Sequence, residues 1–238
     1  CWQILPVCPT GQGNSPYTSA STFAGNPLFI DLETLAASGL LDEADLDAAR
    51  LPVGSKVAYE SVCRLREPLL RKAAARAWEK DGDAIRAFAD GTPWLREYTL
   101  FQAARSHFGC AWCDWPDEAL RRHESAAVEQ WRKDLEAEIA YHTCVQYWFF
   151  SQWAALKEYV NNLGIRIIGD VPIYVSLDSS DVWSEREQFL LDKEGKPSKV
   201  AGVPPDYFSE DGQLWGNPLY DWAAMKRDGF GWWVRRVE

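Results

Sequence analysis

Residues 165–175 read IRIIGDVPIYV, and the acid inside this apolar run is the first candidate for chemistry. The β-branched residues from Ile165 to Ile168 predict a strand covered on both faces, with Gly169 letting the backbone pass close to a neighbour at its end. Asp170 then stands at a strand exit, where a carboxylate can act on a bound substrate. The alternatives are a carboxylate that caps its own loop by accepting backbone N–H groups, or one paired with Arg166.

A second stretch, AGVPPDYFSEDGQLWGNPLYDW over residues 201–222, sets Tyr207, Phe208, Trp215, Tyr220 and Trp222 among prolines and glycines, with Asp206, Gln213 and Asn217 between them. Flat rings and planar amide or carboxylate groups on a stiff loop suit a sugar. The apolar C–H face of a pyranose packs on a ring, and neighbouring hydroxyls are gripped by two hydrogen bonds at once. Phosphate-cradling turns of the GxGxxG or GxxxxGK type do not occur. A hydrophobic mini-core within the loop accounts for Tyr220 and Trp222.

A third stretch, CPTGQGNSPYTSASTFAGNP over residues 8–27, is long for a connection in a compact domain, and the interleaved Tyr17 and Phe23 predict an ordered binding loop. With 13 Trp in 238 residues, many of them in loops, the rings as a set predict a stacking surface. Cys110-Ala-Trp-Cys113 has the spacing of half a zinc site or a redox pair. No second pair and no suitably spaced histidines complete it, so free thiols and no metal are expected.

These residues need a sheet and helices to position them. A first strand is predicted over about Trp2–Val7, and the pattern is helical from Asp31 to Ala140. Helices are predicted at 32–38, at 43–50, at 59–80, and from Thr92, as N-cap with Pro93 at the first position, to His107. Val128, Trp131, Leu135, Ile139, His142, Val145, Phe149, Trp153, Leu156 and Val160 then keep helical step, predicting one long helix or two nearly collinear ones that end at Gly164. His142 lies on that stripe and reads as a satisfied core histidine. A further helix is expected near Ser180–Glu187. Strand, helices, strand and helix in that order predict an α/β fold with a parallel sheet and a helical insertion over about residues 40–140. In a (β/α)₈ barrel the C-terminal edge of the strands carries the active site, which favours a functional Asp170.

A formal net charge of −10 and a pI of about 4.9 argue against nucleic acid and anionic membranes as partners. No apolar run approaches the roughly 20 residues of a membrane span, and no secretory leader precedes the first strand, so a soluble cytoplasmic protein is expected. The chain opens inside an apolar strand without an initiator Met and stops within an amphipathic helix, which reads as a segment of a longer enzyme.

The motifs WQILPVCPTGQGNSPYTSASTFAGNPLFIDL, LGIRIIGDVPIYVSLDSSDVW and VAGVPPDYFSEDGQLWGNPLYDW resemble the amylomaltases, or 4-α-glucanotransferases, over nearly the whole chain. The resemblance implies a partial (β/α)₈ TIM barrel with helical insertions. Residues 1–40 would be the first strand and substrate loop, 41–140 the helical insertion, and 141–238 a barrel helix, the strand bearing Asp170 and the aromatic glucan-binding loop. It implies transfer of α-1,4-glucan units between maltooligosaccharides by retaining double displacement, without a cofactor.

Residue by residue, Ser15 and Tyr17 match a loop beside the donor site, and Asp170 matches an acid near the sugar at the cleavage point. Tyr207, Phe208 and Trp215 match a loop that folds over the glucan, with Asp206, Gln213 and Asn217 as its polar contacts. Gln12 and Asn14 stand where the family often carries Tyr and Asp. The nucleophile and the acid/base are expected beyond residue 238, so the segment alone is expected to be inactive and to associate with the missing barrel half. The competing reading is a noncatalytic glucan-binding or scaffold protein.

Overall fold

Strand β1 (Trp2–Gln3) pairs in parallel with β2 (Ile167–Ile168), in a computed structural model that describes residues 1–52 and 54–237. Trp2 N–H donates to Arg166 O at 2.7 Å and Ile4 N–H to Ile168 O at 3.0 Å. The first strand is shorter than Trp2–Val7 because Pro6 has no N–H with which to extend the ladder. The second is not covered on both faces: Ile165, Ile168, Val171 and Ile173 are exposed. Trp2, Leu5, Phe29, Trp153 and Leu156 instead border an open apolar hollow of about 780 Å³ beside the pair. Gly169 makes no close approach either, since a Cβ there would meet nothing within 4 Å.

Helices fill the interval. α1 (Leu32–Ala37) and α2 (Glu43–Ala48) are capped by Asp31 and Asp42, each accepting backbone N–H groups of its helix's first turn. α3 (Tyr59–Asp90) runs past the predicted end at Lys80 through non-helical backbone at Asp81, and contains Pro68. α4 (Leu95–Phe108) starts later than predicted. The Thr92 hydroxyl donates to Phe88 O, so it finishes the preceding helix instead of capping this one, and Pro93 lies outside. α5 (Glu118–Arg121) and α6 (Ser125–Asp134) lead to α7 (Glu136–Asn162), with a break at Leu135 that makes the periodic stripe two helices. Gly164, at φ +74°, turns the chain into β2.

α8 (Ser180–Ser184) follows β2, shorter than predicted because a 3₁₀ turn takes over at Arg186–Gln188. Residues 200–218 are a β-hairpin, not a loop: β3 (Val200–Val203) pairs antiparallel with β4 (Gln213–Pro218). α9 (Trp222–Arg227) and α10 (Gly231–Val237) close the chain. Among the described residues no helix is long and apolar enough to cross a membrane.

Two large cores, with a small third cluster of Ala24, Leu95 and Tyr98, hold these elements. One face of α3, built from Leu70, Ala73, Ala74, Ala77 and Ile85, packs on Cys144, Val145, Trp148 and Phe149 of α7, where the alanines permit close approach. The other core gathers Phe101, Trp112, Trp115, Trp183 and Trp232, each at most 1% exposed. The reading of the tryptophans as one stacking surface is therefore corrected. Trp112, Trp115 and Trp183 are core rings whose indole N–H groups donate to the carbonyls of Leu177, Cys110 and Leu120. Of the pair assigned to a mini-core, Tyr220 is buried, but Trp222 is 56% exposed.

His142 is only partly buried, with its Nε2 fully buried and, among the described residues, not satisfied. Its Nε2 has no hydrogen-bond partner, and the nearest carboxylate, Glu138, lies 3.9 Å away. Burial pushes the imidazole down to about 4. The unfolded chain, with a histidine near 6.5, therefore binds more protons than the folded one between those values. Stability is lost as pH falls below about 6.5 and levels off near 4, by up to about 3 kcal/mol. Urea midpoints from pH 7 to 4 should show this slope, and His142→Leu should flatten it. An unchanged slope in the variant would assign the loss to other groups.

Candidate functional site

The site begins with a tight turn. The backbone from Pro16 to Thr18 makes a 3₁₀ turn, and the Ser15 hydroxyl accepts the Tyr17 N–H at 3.2 Å, so Ser15 shapes the turn that presents Tyr17. Gly11 N–H closes the loop on Ser15 O, and no side chain fits at Gly11, because a Cβ there would lie 1.8 Å from Thr18 O. Gln146, buried in α7, exchanges hydrogen bonds with both the N–H and the carbonyl of Gly25. Asp181 in α8 accepts the N–H and the hydroxyl of Thr22. Burial pushes that carboxyl up, opposed by its bonds from Thr22 and by the Arg236 charge. The predicted ordered loop is thus tied to the helices behind it.

This loop delivers Tyr17 to Asp170. The Tyr17 hydroxyl donates to Asp170 Oδ2 at 2.6 Å, and this bond holds the phenol above its ordinary range. Among the described residues Asp170 accepts no backbone N–H and pairs with no cation, Arg166 included. Neither the loop cap nor the pair with Arg166 is thus seen among the described residues. Trp215 and Asn217 approach from β4, where Gly216 at φ +79° lies within a register shift of the hairpin. Such a bulge re-aims neighbouring side chains, and both face the same cleft. Tyr17, Asp170, Ile173, Tyr174, Trp215 and Asn217 line a hollow of about 470 Å³.

The remaining candidates divide by position. Gln213 Oε1 accepts the Trp215 indole N–H at 2.9 Å and so orients the ring. Asn217 Nδ2 donates to Val175 O at 2.7 Å. Asp206, Tyr207 and Phe208 do not reach the cleft lining; they form the hairpin tip, with the two rings 98% and 88% exposed. Asp206 Oδ1 accepts the N–H groups of Phe208 and Ser209, each at 2.9 Å, and so shapes that tip. Gln12 borders a second hollow of about 430 Å³ that shares Trp215 and Asn217 with the first, and is lined also by Asp114 and the ion pair of Arg105 and Asp178 at 3.1 Å.

Sequence reasoning did not single out Tyr174, whose ring meets Trp215 edge-on at 6.2 Å, although four residues after Asp170 it shares the same strand exit. Cys110 and Cys113 are free thiols, the latter pushed up to about 11 by burial. Among the described residues no cluster of three His, Cys, Asp or Glu side chains could hold a metal ion.

A carboxylate held by a phenol beside an exposed indole and an amide is an arrangement that can grip a sugar ring by face and edge. A family model described as 4-alpha-glucanotransferase matches residues 1–238. The chain is 45% identical over 240 residues to a 4-alpha-glucanotransferase of Streptococcus pneumoniae, covering 99% of this chain and 48% of that protein. It is 46% identical over 243 residues to one of Thermus thermophilus, again covering 48% of that protein. The chain thus spans about half the length of these curated relatives. The solved amylomaltase of Streptococcus agalactiae in complex with acarbose superposes with a TM-score of 0.94 at 41% identity, over 99% of this chain and 48% of that one. By sequence and by backbone, the chain belongs to the 4-alpha-glucanotransferase family.

Proposed function

We propose that these 238 residues supply the glucan-gripping part of a 4-α-glucanotransferase active site, within a (β/α)₈ barrel of which β1 and β2 are two neighbouring strands. The observation that carries this reading is the cleft in which Tyr17 holds Asp170 opposite Trp215 and Asn217. The neighbour solved with acarbose is an amylomaltase, which fits a cleft of this kind.

In the proposed reaction a glucose ring stacks on Trp215 while Asp170 accepts a hydrogen bond from one of its hydroxyls. Tyr17 keeps the carboxylate aimed before the substrate arrives. The glycosyl unit passes to an aspartate nucleophile and then to a sugar hydroxyl instead of water, and the nucleophile and acid/base are expected beyond residue 238. The ring pair Tyr207 and Phe208 would close over the chain from the hairpin tip. The three segments 1–40, 41–140 and 141–238 would divide the work into substrate loop, supporting helices, and catalytic strand with aromatic cover.

The deciding experiment is disproportionation of maltotriose, measured for the 238-residue chain and for the protein expressed from its full reading frame. Transfer by the second and not the first supports the proposal. Glucan binding with no transfer by either favours a noncatalytic binder. Within the same proposal, Trp215→Ala should weaken maltooligosaccharide binding by roughly 1–3 kcal/mol, as at other aromatic stacking sites, and leave the melting temperature nearly unchanged. A variant that melts early while binding normally would make Trp215 a packing residue.

A further inference from the structure

Strand β2 ends at Ile168, so no sheet ladder fixes the backbone that carries Asp170. The residues just after it are nevertheless gripped at one carbonyl after another by side chains from elsewhere. Arg236 in α10 donates from Nη2 to the Pro172 carbonyl. The Tyr220 hydroxyl donates to the Ile173 carbonyl at 3.0 Å, and Asn217 takes the Val175 carbonyl. Arg236 Nη1 also reaches the Tyr220 oxygen at 3.4 Å, which joins the first two grips into one unit.

This unit is rigidly seated. Tyr220 is 4% exposed and packs against the rings of Tyr174, Phe189, Trp232 and Trp233. The Arg236 guanidinium lies 5.0 and 4.9 Å from the ring centres of Trp232 and Trp233. Neither residue lines the cleft with Asp170 and Trp215, although Arg236 borders a smaller hollow with Pro172 and Asp170. Side chains seated among this much aromatic surface, with their polar atoms on two adjacent carbonyls, fix the segment they hold.

We propose that Tyr220 and Arg236 are positioning residues for Asp170: by clamping the Pro172 and Ile173 carbonyls they set where the carboxylate meets Tyr17 and the bound sugar. The catalytic consequence rests on the function proposed above; the geometric one does not. A supporting shell of this kind matters because displacing a catalytic group by about 1 Å can cost on the order of a hundredfold in rate.

Tyr220→Phe keeps the ring and removes the grip. In the protein from the full reading frame, kcat for maltotriose transfer should fall about tenfold or more, with KM moving much less. In the 238-residue chain, the Tyr17 phenol, followed by ring-carbon NMR and assigned with Tyr17→Phe, should titrate above the ordinary range in the wild type and return toward about 10 in Tyr220→Phe. Arg236→Lys, which keeps the charge near Asp181 but loses the fork, should shift both readouts the same way and serves if Tyr220→Phe does not fold. A lower melting temperature with kcat and the Tyr17 titration unchanged overturns the proposal, as does a fall in kcat with Tyr17 unmoved. Absence of transfer in the wild type would count against the proposed function, while the Tyr17 titration would still decide the clamp.

Discussion

Asp170→Asn, in the protein expressed from its full reading frame, is expected to lower kcat for maltosyl transfer by about a hundredfold or more while KM moves less. In a retaining transfer the sugar ring flattens and positive charge builds at the anomeric carbon, so a fixed carboxylate on that sugar strengthens its hold as the reaction proceeds. Asparagine keeps the shape, can still accept from Tyr17 at its carbonyl oxygen, and lacks the charge. Folding should survive, because Asp170 makes no bond to the backbone or to a cation among the described residues. Transfer at the wild-type rate would mean that the Tyr17 contact is all Asp170 does. Inactivity accompanied by unfolding would mean that Asp170 belongs to the scaffold.

The largest expected loss of stability lies elsewhere. Trp183 in α8 is fully buried against Phe101 and Trp115, stacks edge-on with His123, and donates from its indole N–H to Leu120 O at 2.9 Å. Trp183→Ala removes the ring and leaves a cavity, while Leu120 O keeps its bond from the His123 N–H at 2.9 Å; the cavity and lost contacts should cost about 3–5 kcal/mol. For a chain of this size that is a fall of roughly 10 °C in melting temperature. Because α8 also carries Asp181, the anchor of Thr22, glucan binding should vanish with unfolding and not before it. Urea unfolding followed alongside binding checks both. A cost below about 1 kcal/mol would mean that the neighbouring rings collapse into the space.

How much of this was legible in the sequence depends on how local each cause is. Asp170 was visible because a charge at the end of a β-branched run is a contradiction within a few residues. The stripe from Val128 to Val160 was visible because helical period is local too. The hairpin was not: prolines and glycines at 201–222 spell turns, and the bulge at Gly216 interrupts the alternation that would have revealed β4. Trp112 and Trp115 misled because they occupy a loop, and only packing against α4 and α8 makes them core. Gln146 and Asp181, which anchor the loop of residues 8–27, left no signal, since they bond backbone groups 121 and 159 positions away. The Tyr220 and Arg236 clamp was hidden for the same reason.

The bond between Tyr17 and Asp170 joins residues 153 positions apart. Bringing the ends of a flexible loop of that length together costs, by the logarithmic length dependence alone, about 4–5 kcal/mol. A hydrogen bond returns a net of about 0.5–1.5 kcal/mol, and less on an exposed pair. The contact therefore cannot nucleate anything. It is expected to form only once the packing of α3, α4 and α7 has drawn β1 alongside β2, late in time and with the cooperativity of the whole chain. A nick or insertion anywhere in the intervening helices that loosens their packing would dissolve the Tyr17 contact without touching either residue, which makes its phenol a reporter of the order in which the molecule assembles.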